Sequence, residues 1–272
     1  MALKYLDKNN ISEEDNQIAI NVRNHIRQGN RVIGVPGEGL QQTLIELEHK
    51  RDEQKKISDI AWEMSDPELE QQIALTKAGI EGEKQLCEYL ERILKLDDKL
   101  QGVVAFASLS YEPERYKDLG YTPDTDTLLV YGHNILIIDA KNLKLKPNQE
   151  IILVGNSLVD PEKGKELLTV NPSVQVWEKI MANKNIPIDS IDGYVCIVNK
   201  TPVIIDRDDE WYASHIKPIH ISELLEVLED WVASCPSETM YLDMLTEVAK
   251  AQIKEDRNLS FDPDAIKRKY GV

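Results

Sequence analysis

Four ionisable residues, Glu83, Asp126, Asp139 and Lys141, fall in a pattern able to hold a divalent cation between carboxylates with an amine alongside. Three of them lie in one segment, TPDTDTLLVYGHNILIIDAKN, from Thr122 to Asn142. Two apolar runs flank Gly132 and His133 there, and a glycine at the first of two central residues is the mark of a type II′ hairpin turn. With Gly132 and His133 as the loop, Tyr131 pairs with Asn134. Continuing outward, Asp126 then opposes Asp139, and Asp124 opposes Lys141. Directly opposed residues of an antiparallel pair share a face, with Cβ atoms about 5 Å apart. Residues two apart on a strand share a face as well. All four side chains are therefore expected on one face. Carboxylates facing each other repel unless a cation or a proton lies between them. An open, oxygen-rich site of this kind suits Mg²⁺ or Mn²⁺. The plain alternative is acids gathered at strand ends by solvation. Asp139 resists it, because it ends the apolar run Ile135–Ile138, and a charge in that position is costly unless paired or ligated.

The third piece is the segment Lys77 to Leu94. Ile80, Cys87, Leu90 and Leu94 follow helical spacing along one face. Glu83 has the same phase, whereas Glu81 and Glu88 do not lie at its centre. A carboxylate on a core-facing stripe is unusual; an acid near a helix start, favoured by the dipole, is the competing account. Gly79 and Gly82 would let this helix approach the sheet closely.

The elements that must position these groups can be read from the pattern. Ser12 opens a helix, and a Gly/Pro-rich loop follows at Arg31 to Gly39. That loop lacks the Gly-Lys-Ser/Thr ending of a phosphate-binding loop. A charged helix spans about Leu40 to Met64, an arm against the core or a dimer contact. Asp66-Pro67 opens the next helix, which runs to about Leu96 with a break expected at Gly79 or Gly82. Strands are predicted at Val103–Ser108, Thr127–Tyr131, Ile135–Ala140, Ile151–Val154, Tyr194–Val198 and Val203–Ile205. Helices are predicted at Pro172–Asn183 and, capped by Ser222, at Ser222–Val232. Two helical stretches end the chain, the last opened by Asp262-Pro263. The expected organisation is a helical N-terminal region over 1–76, an α/β domain over 77–233, and a helical tail over 234–272.

Several of these elements together resemble a known family. Gly79-Ile80-Glu81-Gly82-Glu83 with Leu86 and Leu90 is similar to the opening motif of the nuclease-related domain (NERD), a branch of the PD-(D/E)xK nuclease superfamily. Asp126 before Thr-Leu-Leu-Val resembles its Asp-plus-apolar strand, and Ile137-Ile138-Asp139-Ala140-Lys141-Asn142 its Glu-x-Lys-Asn strand. Asn171-Pro172 with Gln175 resembles its later Pro-and-Gln helix. Order and spacing agree over about residues 77 to 233. Two departures stand out: Asp139 replaces the more common Glu, and the literal Pro-Asp pair is Pro123-Asp124, so Asp124 stays in reserve behind Asp126.

The resemblance implies a restriction-endonuclease-like fold, a mixed sheet flanked by helices. It implies a Mg²⁺- or Mn²⁺-dependent nuclease acting on DNA, with RNA left open. Asp126 and Asp139 would ligate the metal, Glu83 would be a further or water-mediated ligand, and Lys141 would orient the attacking water or stabilise charge on the phosphate. Gln175 would position water or the backbone phosphate. A competing expectation is a non-catalytic module that keeps this fold and assembles with itself or a protein partner through the N-terminal helices.

Bulk properties bound the choice. The net charge of −16 lowers the prior for extended nucleic-acid binding, which normally uses a basic surface. It does not exclude a nuclease, because bound cations reverse the field of a carboxylate site. Cys87, Cys196 and Cys235 are odd in number and widely spaced, against both a disulfide framework and a zinc site. The five histidines lack metal-ligand spacing. No apolar run approaches the roughly 20 residues of a membrane span, and Met1–Asn10 lacks the apolar stretch of a signal peptide. No membrane association and a cytoplasmic location are expected.

Overall fold

The computed structural model describes residues 3–4, 12–57, 66–110, 124–143, 145–154, 157–169, 173–199, 203–206, 216–235 and 240–251. In chain order the elements are β1 (Leu3–Lys4), α1 (Glu13–Arg27), β2 (Val32–Ile33), α2 (Glu38–Ile57), α3 (Pro67–Leu96), β3 (Val104–Ser110), β4 (Asp124–Tyr131) and β5 (Asn134–Lys141). They continue with β6 (Gln149–Val154), β7 (Ser157–Asp160), β8 (Lys165–Thr169), α4 (Ser173–Asn183), β9 (Ser190–Ile197) and β10 (Val203–Asp206). The last are β11 (Ile216–His220), α5 (Leu224–Ser234), β12 (Met240–Tyr241) and α6 (Leu242–Lys250).

The centre is a six-stranded mixed sheet in the order β11-β9-β5-β4-β3-β2. β3, β4 and β5 run antiparallel in turn, while β9 and β11 add in parallel on one side and β2 in parallel on the other. A second sheet has four strands in the order β10-β6-β7-β8, and its Ile151 and Leu158 join the same core.

Alternation along the strands builds two apolar layers. Phe106, Leu128, Val130, Ile135, Ile137 and Val195 pack with Trp177 and Ile180 of α4 and Leu245 of α6. Ala105, Leu129, Leu136, Ile138 and Cys196 pack on the other side with Leu86, Leu90 and Leu94 of α3 and Leu224 and Leu228 of α5. β5 is buried along nearly its whole length, as a strand covered on both sides must be. The result is a mixed sheet flanked by helices, as the pattern implied.

The predicted hairpin forms in the predicted register, from Tyr131 opposite Asn134 to Thr127 opposite Ile138. Gly132 has φ +62°, the positive value that the first central residue of a type II′ turn requires. Four expectations change. α3 is one continuous helix through Gly79 and Gly82. A Cβ at Gly82 would stand 3.0 Å from Asn142 Cβ, so this glycine does bring α3 onto the strand ends. One at Gly79 would instead meet Leu40 Cδ1 of α2 at 2.7 Å. α2 begins at Glu38, and its expected extension to Met64 passes beyond the described residues.

The helix predicted from Ser222 is a 3₁₀ turn at Ile221–Glu223 followed by α5; His220 and Glu223 form its capping box, not Ser222. The N-terminal region is also more than helical, since β2 extends the central sheet and α3 crosses residue 77 unbroken. Glu91 of α3 fastens that edge, accepting from the backbone N–H of Arg31 (2.9 Å) and of Val32 (2.6 Å). Asn171, Pro172 and the Asp262-Pro263 helix lie outside the described residues. Among the described residues, no helix is long and apolar enough to cross a membrane.

Candidate active site

β4 and β5 carry their acids where the hairpin's far ends meet α3. Asp126 lies one step beyond the Thr127–Ile138 pair, and its Oδ2 accepts from the Ala140 backbone N–H at 2.7 Å. Asp126 and Asp139 lie close enough for the charge of one to act on the carboxyl of the other. Burial, and then the neighbouring Asp139 charge, push the Asp126 carboxyl well above the usual carboxylate range, against the opposing pull of Lys141.

Asp139 is only 9% exposed. Its Oδ1 accepts from Lys141 Nζ at 2.5 Å, while its Oδ2 is buried without a hydrogen-bond partner among the described residues. Burial works against the Lys141 ammonium, but the charges of Asp139 and Asp126 outweigh it and raise the Lys141 pKa.

Glu83 is buried on the core side of α3, as its helical phase predicts. Its Oε2 accepts from the Gly37 N–H at 2.8 Å and from Ser108 Oγ at 3.1 Å. Burial raises its pKa despite those two donors and Lys141. Nearby, burial pushes the Cys87 thiol up to about 12. Its Sγ lies 3.7 Å from Thr127 Oγ1, so Cys87 serves packing rather than nucleophilic chemistry. All three cysteines are free.

The single-face expectation for this end of the hairpin fails in one respect. Thr127 meets Cys87 on α3, whereas Thr125, two residues away, accepts from Trp177 Nε1 on α4 at 3.0 Å. Those helices cover opposite sides of the sheet, so strict alternation is broken between the two threonines. The break coincides with Ser108 on β3, whose φ is +49°, in a β3–β4 ladder that pairs Ala107 with Thr127 and then Leu109 with Thr125. Asp124 is consequently not a fourth member of the buried group. It is exposed at the start of β4, opposite Ser110. Gln175 is exposed on α4, beside the buried Val174 and Val176.

Asp126 and Asp139 offer hard oxygen donors, and the unpartnered Asp139 Oδ2 is a buried acceptor suited to a divalent cation. Mg²⁺ commonly binds through one or two carboxylates, with waters and substrate phosphate completing its shell. The set is spare: among the described residues no group of three or more His, Cys, Asp or Glu is arranged to hold a metal ion. Glu83 Oε2 is already engaged by two donors. The residues fit a two-carboxylate site with Glu83 behind it, not a closed three-carboxylate cage.

Sequence reasoning gave no role to Ser108 or Gly37 and named Asn142 only within the Asp139-Ala140-Lys141-Asn142 motif. Asn142 Nδ2 donates to the Ala78 carbonyl of α3 at 3.0 Å, tying the end of β5 to that helix. The only sequence signal for Gly37 was the glycine-rich loop itself, and Ser108 carried none. No protein-family model, no curated protein and no solved structure matches the chain.

Proposed function

We propose that this chain is a divalent-metal-dependent nuclease of the NERD type, hydrolysing phosphodiester bonds with DNA as the expected substrate. One observation carries the reading: Asp126 and Asp139 stand near each other just past the last β4–β5 pair, and a buried Asp139 oxygen lacks a partner among the described residues. Two carboxylates held close together call for a proton or a cation between them. A lysine two residues on supplies the positive group that phosphoryl chemistry needs.

In this reading Asp126 and Asp139 hold Mg²⁺ or Mn²⁺. Such an ion polarises a phosphoryl oxygen and lowers the pKa of a bound water. Lys141, held by Asp139, stabilises the negative charge that develops on the phosphate as water attacks phosphorus and the P–O ester bond breaks. Ala140 N–H keeps the Asp126 carboxylate turned toward Asp139. Glu83 acts from behind, on water rather than as a primary ligand. Gln175 contributes only where the nucleic acid crosses the exposed side of α4.

A second reading has support from a different observation. The Lys141–Asp139 ion pair already neutralises one carboxylate oxygen, as in a structural charge cluster of an interaction module. Plasmid nicking with Mg²⁺ or Mn²⁺ decides between them. It is run at several salt concentrations, because an acidic chain binds DNA most readily at low salt. Metal-dependent nicking lost in Asp139→Ala supports the nuclease. No nicking and no metal binding by the wild type under any of these conditions supports the module.

A further inference from the structure

The segment that closes over Glu83 belongs to the N-terminal region, outside the stretch that carries the other acids. Glu83 Oε2 accepts from the Gly37 N–H (2.8 Å) and from Ser108 Oγ (3.1 Å), and Ser108 Oγ in turn accepts from the Glu38 N–H (3.3 Å). One hydroxyl thus bridges the start of α2 to the Glu83 carboxylate. The turn sits tight against α3. Gly37 has φ +74°, and a Cβ there would stand 3.0 Å from Ile80 Cγ2 and 3.2 Å from its Cα. Ser108 adopts φ +49°, a conformation that non-glycine residues seldom take. Such backbone persists where its surroundings over-determine it, and it gathers at functional sites.

The geometry points to a positioning clamp: Ser108 and the Gly37 N–H hold the Glu83 carboxylate in one orientation toward Asp139 and Lys141. This inference rests on the nuclease reading of the site. Both donors fall on a single oxygen, Oε2, so the carboxylate cannot swing without losing both. Neither residue touches the reacting atoms; each acts through Glu83. The turn at Gly34–Glu38 is on this account a working part of the catalytic unit, and not a tether for the N-terminal helices. The same contacts make the conformation of that turn a control on activity, since moving it releases Glu83.

Ser108→Gly tests the clamp without loading the fold. Glycine takes a positive φ freely, so the backbone is kept while the hydroxymethyl group is lost. In the plasmid assay with Mn²⁺, kcat is expected to fall about tenfold, the scale of one hydrogen bond to a charged group. KM for DNA should stay close to wild type, and the thermal midpoint should fall by only a few degrees with the fold kept by circular dichroism. In a Glu83→Gln background the same change should cost less than about twofold, because groups acting through one another are not additive. Where that background cleaves too slowly, the cycle is read from Mn²⁺ affinity by calorimetry. Wild-type kcat in Ser108→Gly, or equal losses in both backgrounds, overturns the clamp and leaves the nuclease standing. A wild type that neither cleaves nor binds Mn²⁺ overturns the nuclease and the clamp together.

Discussion

Asp126→Asn should make the metal-free protein more stable, although it removes a residue proposed to be essential. Asparagine keeps an oxygen to accept from the Ala140 N–H, now 2.7 Å from Asp126 Oδ2. Its amide can donate to Asp139 Oδ2, which is buried without a partner among the described residues. One repulsion disappears, and one hydrogen bond to a charged group, worth about 1.5–3 kcal/mol, is gained. A gain near 2 kcal/mol moves the midpoint of a chain this size by about 3–4 °C. The pH dependence has a definite sign. Burial and Asp139 raise the folded pKa of Asp126 above its unfolded value. The wild type therefore loses stability as pH rises through that folded value, whereas at low pH Asp126 is protonated and behaves like asparagine. The variant's advantage should vanish in acid and grow as pH rises through that folded value. The assay is thermal unfolding followed by circular dichroism in EDTA across that pH range, repeated with excess Mg²⁺. Metal bound at about 100 times its Kd adds about 2.7 kcal/mol to the wild type alone, which should reverse the order. An asparagine variant that is less stable in EDTA at pH 8, or equally shifted at every pH, refutes the reasoning.

Three other outcomes follow from contacts on the page. Lys141→Ala frees Asp139 Oδ1, so Mn²⁺ affinity measured by calorimetry should hold or rise while nicking falls by about 10²-fold. Glu91→Gln weakens the hold on β2. Burial opposes ionisation of Glu91, but Lys95 and the Arg31 and Val32 N–H groups prevail and lower its pKa. The variant should thus lose about 1 kcal/mol at neutral pH, in a gap that closes as acid titrates Glu91 through its lowered value, read by urea unfolding. Gly82→Ala brings a methyl to 3.0 Å from Asn142 Cβ and 3.3 Å from Val198 Cγ2. Overpacking of about 1–3 kcal/mol should exceed the helix-propensity gain of up to about 1 kcal/mol, lowering the thermal midpoint.

Where local chemistry decides the structure, the sequence was legible. Gly132 marked the turn and the turn set the register, whose ladder ends at Thr127–Ile138, one step before Asp126 and Asp139. Helical phase alone marked Glu83 as the buried acid of α3. What escaped were contacts between residues distant in the chain. The Gly37 N–H reaches Glu83 across 46 positions, and the Arg31 N–H reaches Glu91 across 60. β2, two residues long, is too short to show a period and joins the sheet as a parallel edge. Ser108 defeated strict alternation because nothing in its side chain announces a positive φ, and that single residue turned Thr125 toward α4. Glycines, by contrast, announced close approach correctly but not its target, since Gly79 faces α2 and Gly82 the strand ends.

The proposed nuclease chemistry requires Asp126 and Asp139 to hold a divalent cation. Isothermal titration of Mn²⁺ into the wild type and into Asp139→Ala tests it most directly, because it requires neither a substrate nor a rate. The account predicts saturable binding of Mn²⁺ by the wild type and none by the variant, with both proteins folded by circular dichroism. Equal binding by the two, or none by the wild type, contradicts it.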